Sequence, residues 1–209
     1  MEKGIFITLE GAEGVGKTTQ IEYVAENLRA HGHTVTLTRE PGGTSVGESI
    51  RNILLSGVDL DICDETELLL IFAARAQHIK RVIKPALQRN EIVVCDRFTD
   101  ASFAYQGGGR GIADEKIQLL QDWVQDSLNP DLTLLLDAPV EIGMERAGKR
   151  GELDRFESED LRFFESIREK YLELAQRENH RIVTIDASVT LEMVQQQINQ
   201  ALSARNYFQ

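Results

Sequence analysis

The stretch Gly11-Ala12-Glu13-Gly14-Val15-Gly16-Lys17-Thr18 constrains this chain more than any other. It follows an apolar run, Ile5-Phe6-Ile7-Thr8-Leu9, that reads as a buried strand, and it opens a helical pattern starting at Thr18 or Thr19. Strand, glycine-rich loop and helix at this spacing form a phosphate-binding loop. The glycines let backbone N–H groups point at phosphate oxygens, and the helix start adds unsatisfied N–H groups and a positive dipole end. In that frame Lys17 reaches the β- and γ-phosphates, and the Thr18 hydroxyl holds Mg²⁺.

The rest of the chain alternates strand and helix. Ile21, Val24, Ala25 and Leu28 recur at helical spacing up to Gly32, and Val35 to Thr38 reads as a short strand. Arg39-Glu40-Pro41-Gly42-Gly43-Thr44 then interrupts regular structure. Val46 to Leu55 is a short helix, and about Glu65 to Arg89 is the longest one. Its seven consecutive apolar residues, Leu68 to Ala74, predict a helix buried on all sides or packed on a second subunit. His78 reads as a satisfied structural histidine. Glu91 to Asp96 is a central strand, with Ser102, Tyr105 and Gln106 after it at helical spacing. The run Gly107 to Gly111 reads as a flexible connection. Ala113 to Leu128 is an amphipathic helix expected to turn Ile117, Leu120, Trp123 and Val124 inward, stopped by Asn129-Pro130. Leu132 to Asp137 is a strand, Pro139 starts a helix, Ser158 to Asn179 is helical, and Ile182 to Ile185 and Leu191 to Leu202 close the chain. Five strands alternating with helices behind a phosphate-binding loop predict an α/β fold: a doubly wound, five-stranded parallel sheet of P-loop NTPase type. The 209 residues suit one such domain.

Charge separates the partner classes. The formal net charge is −11, which argues against a nucleic-acid backbone as partner, since neutralising phosphates requires clustered cations. An anionic ligand must then meet a local basic pocket. Two arginines stand at the carboxyl ends of predicted strands, Arg39 and Arg97, where ligands bind in open α/β sheets. A third basic run, Arg146 to Glu157, is short, polar and glycine-spaced, and it carries Arg146, Lys149, Arg150 and Arg155 in an otherwise acidic chain. It reads as a phosphate-facing lid of a single domain over 1–209. No apolar run approaches the ~20 residues that span a bilayer, no signal peptide is read ahead of the first strand, and two cysteines fit a reducing compartment. The expectation is a cytoplasmic protein without a membrane partner.

A phosphate-binding loop admits several activities. The guanine-reading Asn-Lys-x-Asp pattern of GTPases is missing, and Asp96-Arg97 is not the Asp-Glu that ends the corresponding strand in large ATPase motors. Two strand-end arginines with a basic lid point to a small phosphotransferase with two anionic ligands. A kinase for another small acceptor and a nucleotide sensor acting through a partner stay open on these features alone.

The residues resemble the bacterial thymidylate kinases, ATP:dTMP phosphotransferases, almost end to end. The resemblance rests on Glu10 to Thr19, on Arg39-Glu40-Pro41-Gly42-Gly43-Thr44, on Phe72-Ala73-Ala74-Arg75-Ala76-Gln77-His78, on Asp96-Arg97-Phe98 with Ser102, Tyr105, Gln106 and Gly107, and on Leu153-Asp154-Arg155-Phe156-Glu157. It implies roles for these residues. ATP would lie on Gly11, Ala12, Glu13, Gly14, Val15, Gly16, Lys17, Thr18 and Thr19, with Arg146 from the lid. Thr18 and Asp96 would hold Mg²⁺, the one cofactor. Arg39 and Arg97 would grip the acceptor monophosphate, and Glu13 would meet the sugar 3′-hydroxyl. Phe72 would stack on thymine, Arg75 would bond its carbonyl, Ser102 would help read the base edge, Tyr105 would crowd the sugar 2′ position, and Gln106 would complete the dTMP-binding set. Phe72 lies three residues before the arginine; some relatives carry the aromatic four before it, where this chain has Ile71. The catalytic set is Lys17, Asp96, Arg97 and a lid arginine, Arg150 or alternatively Arg146. A homodimer through the helix at 65–89 is also implied.

Overall fold

The computed structural model describes residues 4–55, 60–148, 155–156 and 159–208. Five strands, β1 (Ile5–Glu10), β2 (Val35–Arg39), β3 (Ile92–Asp96), β4 (Leu132–Asp137) and β5 (Ile182–Asp186), pair in parallel in the order β2-β3-β1-β4-β5. Strands in the middle of such a sheet are covered on both faces, which is why β1, β3 and β4 read as apolar runs and not as alternation. Along β1, Ile7 and Leu9 pack with Val24 and Leu28 of α1 (Lys17–Ala30) and with Val194 and Ile198 of a C-terminal helix. Phe6 points to the opposite face, edge-on to Phe98 with ring centroids 4.9 Å apart.

The chain leaves β1 toward β2 on one side and leaves β3 toward β4 on the other. The carboxyl ends of β1 and β3 therefore flank the switch point, where this class of sheet binds ligands. Leu9 is in register with Asp96, and Asp96 with Arg39, so the phosphate-binding loop, Asp96 and Arg39 leave the sheet along one edge.

The helices are α2 (Ser45–Leu55), α3 (Asp64–His78), α4 (Lys84–Gln88), α5 (Thr99–Ser102), α6 (Asp114–Gln125), α7 (Val140–Gly148), α8 (Leu161–Arg177) and α9 (Leu191–Ala204). The expected helix at 65–89 is not uniform. Between α3 and α4 the turn widens to a π-helical stretch, Ile79–Ile83. Pro85 has no N–H to donate and its ring crowds the carbonyl four residues back, so a wider turn takes up the misfit. The apolar block in α3 is not buried all round either: Leu68, Ile71, Phe72 and Ala74 face inward, while Leu69 and Ala73 face out.

Two further expectations are corrected. Gly107 to Gly111 is not a flexible connection. Gly107 to Gly109 complete a π-helical segment, Phe103–Gly109, that lies directly on α8. A Cβ on Gly109 would stand 2.5 Å from the Phe163 ring, so the glycine is there for close packing. Trp123 does not turn inward; it is 80% exposed. Ile117, Leu120 and Val124 make the inward stripe of α6, and Trp123 lies about 100° round from Val124.

Candidate active site

The loop between β1 and α1 follows the expectation closely. Gly14 adopts φ 71°, and a Cβ there would lie 1.8 Å from the Gly143 carbonyl oxygen, so α7 and the loop meet backbone to backbone. Gly16, in left-handed conformation, caps α1 with its carbonyl accepting from Thr19 and Gln20. Val15 anchors the loop in the core. The Lys17 ammonium donates to the carbonyls of Gly11 at 2.9 Å and Ala12 at 2.7 Å. Burial, with the Arg97 charge, lowers its pKa to about 8, against the attraction of Glu13, Asp96 and Glu10.

Beside the loop, Arg97 leaves β3 with φ 65°, a left-handed conformation that a non-glycine side chain adopts rarely. Two contacts over-determine it. Its own N–H donates to Leu9 O at 3.0 Å, and the next N–H, of Phe98, donates to Glu10 Oε1 at 2.7 Å. The guanidinium is thereby aimed back across the cleft, bonded to Glu13 Oε1 and donating to the Tyr105 hydroxyl at 2.6 Å. Tyr105 in turn donates to Glu13 Oε1 at 2.9 Å. Burial opposes ionisation of Glu13, but the charges of Arg97 and Lys17 and the bonds from Tyr105 and Arg97 outweigh it and hold its pKa at about 2. Asp96 Oδ1 is buried and no described residue donates to it. A carboxylate oxygen with no protein partner, next to a phosphate-binding loop and near the Lys17 charge, suits a hard divalent cation.

At the far end of the same cleft, Arg75 is buried and fully oriented. Nε donates to Glu40 Oε2 at 2.7 Å, Nη1 to Ser102 Oγ at 3.0 Å and Nη2 to Phe98 O at 3.0 Å. Its guanidinium lies 4.5 Å from the Phe72 ring centroid and 5.2 Å from that of Phe98. His78 fastens the other oxygen of Glu40, with Nδ1 at 2.9 Å, and reaches Thr38 Oγ1 with Nε2 at 2.6 Å. It is a satisfied structural histidine, as expected.

These groups line one cavity of about 650 Å³. Glu13, Gly14, Gly16, Lys17, Thr18, Thr19, Asp96, Arg97 and Arg146 line it around the phosphate loop, Tyr105 joins them through its bonds to Arg97 and Glu13, and Arg75, Ser102 and Gln106 line it as well. Arg146 is braced from behind, Nη1 donating to Ala187 O at 2.9 Å. Arg39 and Phe72 are not among the lining residues. Arg39 is half-exposed and paired with Glu48 at 2.8 Å. Phe72 lies under Arg75, 2% exposed, while its neighbour Ile71 meets the cavity. Arg150 and Lys149 lie outside the described residues, as do 151–154 and Glu157 of the lid.

Three residues of the site were not anticipated. Arg51 lines the cavity from α2, Nη1 bonded to Pro41 O at 3.0 Å; burial, then the charges of Arg39 and Arg97, lower its pKa. The signal for it was a cation adjoining the buried stripe Ile50–Leu54. Glu40 and Glu67 are buried acids that orient Arg75 and Gln106. For Glu67 the signal was a helical spacing, Glu67–Ile71–Arg75, that puts two opposite charges on an otherwise apolar face.

A parallel sheet with a phosphate-binding loop at its switch point, opening on one cavity that Arg51, Arg75, Arg97 and Arg146 also line, defines a P-loop phosphotransferase of the nucleoside monophosphate kinase kind. The family model described as thymidylate kinase matches residues 9–198. A thymidylate kinase of Pseudomonas putida strain GB-1 is 55% identical over 199 residues, 95% of each chain. One of Pseudomonas fluorescens strain Pf0-1 is 57% identical over 196 residues, 94% of this chain and 93% of that one. The crystal structure of thymidylate kinase from Ehrlichia chaffeensis superposes with a TM-score of 0.79 at 34% identity, covering 96% of this chain and 99% of that one. The chain belongs to the thymidylate kinase family.

Proposed function

We propose that this protein transfers the γ-phosphoryl group of ATP to dTMP, giving dTDP and ADP, for dTTP synthesis. The observation that carries the reading is one cavity with a phosphate-binding loop at one end and an oriented arginine, Arg75, at the other, bridged by Arg97. Family membership supports the acceptor.

The attacking atom is a phosphate oxygen of dTMP, ionised near neutral pH, so no general base is required. Catalysis is positioning together with charge neutralisation. Gly11 to Thr19 receive the donor phosphates, Lys17 leaving its loop carbonyls for them. Arg97 meets the acceptor phosphate, with Arg39 and Arg51 adding positive charge around it. Glu13 exchanges part of its bond with Arg97 for the sugar 3′-hydroxyl. Arg75, Ser102 and Gln106 meet the base, with Phe72 behind Arg75, and Tyr105 guards the sugar 2′ face. Thr18 and Asp96 hold Mg²⁺, which when bound offsets charge on the donor phosphates. The lid, about 146–157, brings Arg150, or alternatively Arg146, over the transferring group and keeps water out. The chain works as one kinase domain over 1–209.

A homodimer goes with this reading. Leu69 of α3 and Leu119 and Trp123 of the adjacent α6 are 56%, 67% and 80% exposed, an apolar surface of the kind subunits cover. The free thiols Cys63 and Cys95 suit a cytoplasmic setting. Among the described residues, no helix is long and apolar enough to cross a membrane.

The test is ADP release coupled to NADH oxidation, with ATP, Mg²⁺ and one acceptor at a time: dTMP, dUMP, CMP, AMP, GMP and thymidine. The expected result is turnover led by dTMP. Preference for another monophosphate overturns the base-end roles, and no turnover with any acceptor overturns the enzyme reading.

A further inference from the structure

Gln106 lines the cavity, yet it is only 1% exposed. Its side-chain amide has two faces of opposite character: Nε2 donates and Oε1 accepts. Which one the cavity meets depends on what holds the other. Nε2 donates to Glu67 Oε1 at 2.8 Å. Glu67 is fully buried in the first turns of α3, and its other oxygen receives the guanidinium groups of Arg110, at 3.4 Å, and Arg155. A carboxylate facing two guanidiniums only accepts hydrogen bonds, so the amide nitrogen must turn toward it. Among the described residues nothing donates to Gln106 Oε1, and that oxygen is left for a ligand.

Arg75 supplies the complementary partner. Three of its five N–H groups are taken, by Glu40, Ser102 and Phe98 O. The pocket therefore offers a fixed acceptor, Gln106 Oε1, in the same lining as the Arg75 guanidinium donors. A pyrimidine with a ring N3–H next to a carbonyl oxygen matches that pair, as thymine and uracil do. Cytosine presents the reverse, an unprotonated N3 next to an amino group.

We propose that Glu67 is a positioning residue that locks the Gln106 amide with its carbonyl toward the cavity, and so makes the acceptor pocket select bases that carry N3–H. This rests on the proposed dTMP kinase reading and names what enforces it. The same carboxylate also holds Arg155 and Arg110, so loss of Glu67 also weakens the hold on those two guanidiniums. That second effect applies to every acceptor alike. A ratio between acceptors isolates the first.

The experiment compares kcat/KM for dTMP and dCMP in the wild-type protein and in Glu67→Gln. The substitution keeps the shape and introduces a donor, so Gln106 can turn its amino group to the cavity. The expected result is a fall of about tenfold or more in the dTMP:dCMP ratio, the scale of one reversed base contact. A ratio unchanged within about twofold, as expected if Glu67 only stabilises the fold, overturns the inference. A wild-type protein with no preference for dTMP overturns the proposed function itself, and the inference with it. If Glu67→Gln does not fold by circular dichroism, calorimetric titration of the wild-type protein still decides. dTMP must bind at least about tenfold more tightly than its N3-methyl derivative, and Gln106→Leu must narrow that gap. Equal binding of the two to the wild-type protein overturns the proposal.

Discussion

Arg97 and Arg39 carry the same side chain at the ends of adjacent parallel strands, one residue out of register. Their surroundings differ in every other respect. Arg97 has a left-handed backbone held by Leu9 and Glu10, and a guanidinium boxed by Glu13 and Tyr105, with 20% of its side chain exposed. Arg39 leaves an ordinary strand, and its side chain, 52% exposed, pairs with Glu48 on the surface. A strand end thus confers a location, not a function. What makes Arg97 part of the cavity lining is the set of acids and backbone contacts that aim it inward.

The largest effect sets the scale for that comparison. Lys17→Met is expected to lose ~10³-fold or more in kcat, as transition-state cations do in this chemistry. Activity near wild type would remove the phosphate loop from the mechanism and leave the two arginines without a reference. Arg97→Ala should come next, with acceptor KM strongly raised and kcat lowered, and with a loss of about 1–3 kcal/mol in unfolding free energy, because half-buried Glu13 keeps its bond from Tyr105 but loses that of the guanidinium. Denaturant titration and steady-state kinetics check the two halves. A variant with normal KM and stability would erase the distinction from Arg39. Arg51→Ala should raise acceptor KM by roughly tenfold, the value of a lost charged contact; no change would return the second phosphate cation to Arg39.

A pH series sharpens the account of how Arg97 is aimed. Burial and the Asp100 charge raise the pKa of Glu10, which bonds Phe98 N–H, to about 8, against bonds from Tyr171 and Phe98 and the Arg97 charge. The folded protein then keeps a proton that the unfolded chain releases above about 4.5. This group's contribution to stability is full below that pH and is lost as pH rises toward 8. Thermal melts should show the advantage of wild type over Glu10→Gln shrinking across that window, and a constant difference would refute the assignment. The smallest effect belongs to Arg39→Ala: within about 1 kcal/mol in stability, with the contribution of the Glu48 pair fading further in high salt.

These contrasts also mark how far the sequence could be read. The phosphate loop, Asp96-Arg97 and the five strands were legible because each is a contiguous run whose conformation follows from its own residues. Arg75, Ser102, Tyr105 and Gln106 were legible through resemblance to a family, and they meet in the cavity. The roles of Glu40, Arg51 and Glu67 were not legible, since each depends on a partner 10 to 88 residues away. Trp123 departs from its inward expectation because hydrophobicity is not burial: the helical period puts it off the stripe, and it is exposed. Arg39 was assigned a role by its position, which its neighbours then modify.

The backbone contact between Gly14 and Gly143 has an evolutionary consequence. A Cβ on Gly14 would collide with the Gly143 carbonyl at 1.8 Å, and one on Gly143 would meet Glu13 O at 2.5 Å. Most core pairs drift by exchange, one side chain shrinking as its neighbour grows. Here neither partner has a side chain to shrink, and each new one would strike peptide atoms that no substitution removes. Single changes are blocked and no double change repairs them, so the ancestry of α7 and of the phosphate loop must run together at this point.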